Sequence, residues 1–161
     1  MRASLFAPIL ALTTAVAPVL ASAQTATQTV TFAVNAINQI SATGSPSLTV
    51  TTATAGSQPT NATDGASTWA VTTNQTGAKI SASIPTLMPA GLTLSVNLVA
   101  PAGATSAGST ALGTVAVDLV TSITKVAQSG MTATYHLSAT AAAGVVGSAT
   151  KVVTYTISGG T

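Results

Sequence analysis

Apolar and polar residues alternate with a period of two along most of this chain, the pattern of strands that bury one face and wet the other. In residues 27–34, Val30, Phe32 and Val34 alternate with Thr29, Thr31 and Ala33. A second such run covers residues 48–53, with Leu48 and Val50 on one side and Thr49 and Thr51 on the other. Leu92, Leu94, Val96 and Leu98 make the cleanest strand, and Val115, Val117 and Leu119 follow on one face. Met131, Ala133, Tyr135 and Leu137 predict a further strand, and Val153, Tyr155 and Ile157 predict a last one over residues 150–158. Turn signals separate these runs: Gly44-Ser45-Pro46, the Gly, Pro, Asn and Asp of residues 55–66, Pro85 to Gly91, the small residues of 101–113, and Gly144 with Gly147.

Residues 67–84 carry the only Trp, and their parity predicts a β-hairpin. Trp69 and Val71 lie at odd positions, Ile80 and Ala82 at even ones. An even loop about Gln75 and Thr76 sets Val71 opposite Ile80 and Trp69 opposite Ala82, so one face is apolar. An odd loop would slip the register by one and split the apolar set between faces. Asn74 then opens the turn, and Gly77 supplies a positive φ before the chain re-enters the sheet. Trp69, Val71, Ile80, Tyr135 and Tyr155 are the expected core anchors, the indole alone burying about 200 Å².

The first 23 residues read as a secretory leader: Arg2, a mostly apolar stretch over residues 5–20, and small residues Ala21-Ser22-Ala23 before an expected cleavage between Ala23 and Gln24. The chain is then expected to act outside the cell or at its surface. Removing 23 of 161 residues leaves 161 − 23 = 138, one domain over residues 24–161 and long enough for its own core. No later run is long and apolar enough for a spanning helix. Strands divided by turns, with no sustained 3.6-residue period, point to an all-β fold, an immunoglobulin-like antiparallel β-sandwich of about seven to nine strands.

Composition narrows the function classes. The chain has four basic and two acidic side chains, one His and no Cys. Scattered lysines without stacking aromatics make no nucleic-acid surface. Catalysis at neutral pH needs an acid or base, an activated nucleophile or a metal. Asp118 and His136 fall on outward strand positions, and Asp64, Asp118 and His136 cannot assemble a ligand set. A non-enzyme with no catalytic residues, no cofactor and no metal is expected. Asn61-Ala62-Thr63 and Asn74-Gln75-Thr76 match the glycosylation triplet but read as loop and turn residues.

So few charges on a Thr, Ser and Ala surface leave strand edges weakly protected against pairing with another chain. Residues 27–34 are the candidate strand donor, with Val30, Phe32 and Val34 at knob spacing. The alternating first strand, the last strand VVTYTIS with Tyr155, and the leader resemble bacterial immunoglobulin-like surface modules, among them pilin and biofilm-fibre subunits that assemble by donor-strand exchange. That resemblance implies a secreted structural protein of a fibre, matrix or coat, with self-association or other surface proteins as partners. The lack of Cys departs from many chaperone-assembled pilins, and no sortase or surface-layer anchoring motif is present. The alternative is an adhesion or binding module whose loops, residues 54–66 and 101–113, share one end of the sandwich and hold a carbohydrate or protein.

Overall fold

The computed structural model describes residues 22–161. Residues 1–21, and with them nearly all of the expected leader, lie outside the described residues. Two units divide the chain, Met1–Ala33 and Val34–Thr161. In the first, the described residues 22–33 are exposed and carry no secondary structure.

The second unit is almost entirely β. It is built on two long strands: β2 (Ala62–Ser83, 22 residues) and β6 (Val117–Ala139, 23 residues). These pair antiparallel along their whole length, from Ala62 opposite Leu137 to Ala82 opposite Val117. One edge of β2 is covered by β1 (Asn38–Thr43) over Thr68 to Thr73, and by β7 (Thr154–Ser158) over Lys79 to Ser83. Between them Thr161 exchanges two backbone hydrogen bonds with Thr76. On the other side, β3 (Leu92–Leu98) pairs with β6 over Ala133 to Ala139, and the two-residue β4 (Thr105–Ser106) pairs over Val120 and Thr121. The two-residue β5 (Thr110–Ala111) closes the outer edge on β3. All seven strands form one antiparallel sheet, and a single 3₁₀ turn (Ala141–Ala143) follows β6.

The expected hairpin is absent: residues 67–83 run straight through the predicted turn as part of β2. The parity change is nonetheless real. Trp69, Val71 and Thr73 are buried at odd positions, and Ala78, Ile80, Ala82 and Ile84 at even ones. Bulges absorb the change, because the β2–β6 register shifts between Thr73 and Thr76 and again between Thr76 and Ala78. A bulge inserts a residue, bends the strand and swaps the inward set, as an even loop would. Gly77 takes its positive φ inside this bulge, and on the partner strand Ser122 and Lys125 take φ of 60° and 42° near the same place. β6 in turn merges the two runs read separately from residues 115–119 and 131–137.

The bulges separate two halves of the sheet, each with its own buried apolar set. In one half Trp69, Met131, Ala133, Tyr135, Leu94, Val96 and Leu98 are buried; in the other Ala78, Ile80, Ala82, Val120 and Ile123. All belong to a single core, against which Tyr155 and Ile157 of β7 pack. A 2.6 Å hydrogen bond between the Tyr135 and Tyr155 hydroxyls ties the halves together, since Tyr135 pairs with Val96 and Tyr155 pairs with Ala82. Burial, and then the bond to Tyr135, pushes the Tyr155 phenol above its ordinary range, which keeps it protonated. Ser67 is also buried, with its hydroxyl unpartnered. Removing an unsatisfied buried polar atom stabilises a fold, so Ser67→Ala is expected to raise unfolding free energy by about 1 kcal/mol in a urea titration.

Three expected strands differ from the structure. Residues 27–34 are not a strand, residues 48–53 hold only an isolated bridge from Ala53 to Pro59, and the last strand begins at Thr154 rather than 150. Each run has strand-like alternation, but a ladder needs a partner strand, and apart from the Ala53–Pro59 bridge no described residue pairs with these positions.

Candidate functional site

The ionisable side chains are dispersed. Asp118 lies opposite Ser81 and forms an exposed 3.0 Å ion pair with Lys79. His136 lies 136 − 118 = 18 positions away on the same strand, with its Nδ1 3.1 Å from the Thr63 hydroxyl. The structure brings no nucleophile, imidazole and carboxylate together from these residues, and among the described residues no three His, Cys, Asp or Glu side chains cluster as metal ligands.

Asp64 works locally. Its carboxylate accepts 2.8 Å hydrogen bonds from the Ser47 and Ala66 backbone N–H groups. These bonds, Ser47 first, hold its pKa below the ordinary 3.8. A depressed carboxylate pKa adds stability above the unfolded value and loses it as pH falls through the lower folded value. The Ser47 and Ala66 amide resonances are therefore expected to titrate together with a midpoint below 3.8, and Asp64→Asn should abolish that titration.

The two long loops are each tied to the sheet. Residues 54–61 turn beside the end of β6, where Gln58 accepts a hydrogen bond from the Ala141 amide. Residues 62–66 belong to β2. Residues 101–113 are tied down through β4 at Thr121 and through β5 at Ser95 and Val96. β4 thus meets β6 at Val120 and Thr121, while β5 meets β3 where β3 pairs with Tyr135 and His136.

The expected donor residues are the most conspicuous feature. Val30, Phe32 and Val34 are 72%, 89% and 80% exposed. They sit on an arm whose base is held by one side chain: Asn74 Nδ2 donates to the Asn35 carbonyl at 2.8 Å, and Asn74 Oδ1 accepts from the Ile37 amide at 2.8 Å. Asn74 thus imitates a backbone unit and pins the chain just after Val34. Sequence reasoning placed Asn74 in a turn and missed this role, which depends on a contact 37 positions away. The core anchors lie inside: Trp69, Val71, Ile80 and Tyr135 are buried, and Tyr155 is half-buried.

Beyond the far end of β1 two adjoining cavities of about 410 and 980 Å³ open to solvent. Both are lined by Pro46, Leu48, Met88, Leu137 and Lys151, so they form one groove. Lys151 braces a wall of it, its ammonium donating to the carbonyls of Thr86 and Leu87 and to the Thr86 hydroxyl. Compared with known proteins, the chain matches no family model, no curated protein and no solved structure.

Proposed function

We propose that this chain is a secreted structural subunit of an extracellular fibre, biofilm matrix or surface coat, and that it assembles by strand addition with residues 27–34 as the donor. The observation that carries this reading is the arm itself: three large apolar side chains at alternate positions, exposed together, on a segment pinned at its base. Exposed apolar runs of this kind mark interaction surfaces, and a period-two run is the form that an added strand takes. The bend that brings two sheet halves over one core supports an immunoglobulin-like sandwich as the finer architecture. The leader supports export, and the resemblance to donor-strand surface modules agrees with both. Deleting residues 24–36 is expected to abolish assembly, scored by negative-stain electron microscopy of the secreted protein; unchanged fibres would rule out the donor role.

A further inference from the structure

Two stretches of backbone flank the groove without ladder partners. Among the described residues, no backbone–backbone hydrogen bond reaches residues 44–51 on one wall or residues 145–153 on the other. Both walls nevertheless alternate as strands do: Leu48 and Val50 are half-buried with Thr49 exposed, and Lys151 and Val153 are half-buried with Val152 exposed. Backbone N–H and C=O groups outside any ladder, the Ser47 N–H held by Asp64 excepted, therefore flank a trough lined in part by Met88, Leu94 and Leu137. Two strand-like walls that carry no ladder between them among the described residues offer the hydrogen-bonding groups an added strand uses.

We propose that residues 27–34 of a second copy of this chain insert into this groove as a strand between residues 48–53 and 147–153. The inference rests on the strand-addition reading and adds its acceptor. Residues 27–34, 48–53 and 150–153, which lie in runs that the sequence predicts as strands and which carry no ladder among the described residues beyond the Ala53–Pro59 bridge, are then paired by one event. Charge agrees, because residues 24–37 contain no charged side chain, and the only one lining the groove, Lys151, is already engaged by Thr86 and Leu87. The chain's own Phe32 falls short of the groove mouth. Asn35 is held at Asn74 beside the start of β1, whereas the groove opens at residues 42–44, about 17 Å further on at ~3.3 Å per residue. Phe32 lies three residues from Asn35, a reach of about 11 Å at most. A donor from another copy makes a head-to-tail contact, which builds a filament when the rotation between copies does not close a ring.

The chain has no Cys, so engineered thiols report without background. Full-length chains carrying Phe32→Cys are mixed with chains carrying Met88→Cys or, as a control on the outward face, Thr93→Cys, secreted from a bacterial host and oxidised. The Phe32 to Met88 disulfide is expected at least about tenfold over the Phe32 to Thr93 pair, because insertion raises the local thiol concentration. In the parent chain, amides of residues 48–53 and 147–153 should exchange at least about tenfold more slowly on assembly. Fibres without the Met88 cross-link and without this protection would overturn the groove while leaving strand addition standing. No fibres, no cross-link and no protection at any concentration would overturn both.

Discussion

Ile80→Ala is expected to lower unfolding free energy by about 3 kcal/mol, within the range of about 2–5 kcal/mol for emptying a buried isoleucine site. Ile80 is fully buried where β2 is flanked on both sides, opposite Val120 of β6 and Ile157 of β7. It lies among the bulges, with a register shift on either side, and its side chain belongs to the single core. Rigid strands on either side cannot collapse into the void, which places the cost well above simple transfer of the lost methyl groups. Urea unfolding of the variant beside Val145→Ala makes the comparison internal: Val145 is fully exposed, and its truncation should stay within about 0.5 kcal/mol of the parent. A loss below about 1 kcal/mol at Ile80 would mean that the halves do not share a core.

Phe32→Asp is expected to abolish assembly while leaving the unfolding free energy of the single chain unchanged within about 0.5 kcal/mol. Phe32 is 89% exposed, so the folded unit loses no packing when it changes. In an assembled fibre the same side chain would be buried, contributing about 1.5–3 kcal/mol by hydrophobic transfer. A carboxylate in its place would have to leave water unpaired, a far larger penalty than the lost burial. Light scattering during concentration, with urea unfolding on the same sample, separates the two effects. Equal loss of assembly and stability would show that Phe32 belongs to the core of its own chain.

How much of this was legible in the sequence depends on whether a feature is local. Leu92 to Leu98 stood out as a strand because four inward residues alternate without a break, and β3 has those bounds. The burial of Trp69, Val71 and Ile80 followed from their bulk and parity. The hairpin did not survive, because parity counts residues and not partners: an even loop and a bulge both swap the inward set between Thr73 and Ala78. Choosing between them required the similarly long β6, whose paired residues lie from 117 − 82 = 35 to 137 − 62 = 75 positions away. The arm's anchor at Asn74 and the groove were equally hidden. Both arise where distant segments meet, and neither has a residue pattern of its own.

The most direct test of the account is electron microscopy and size-exclusion chromatography of the secreted chain as its concentration is raised without refolding. Strand addition between copies predicts regular fibres that grow with concentration. A chain that stays monomeric at every concentration would contradict it.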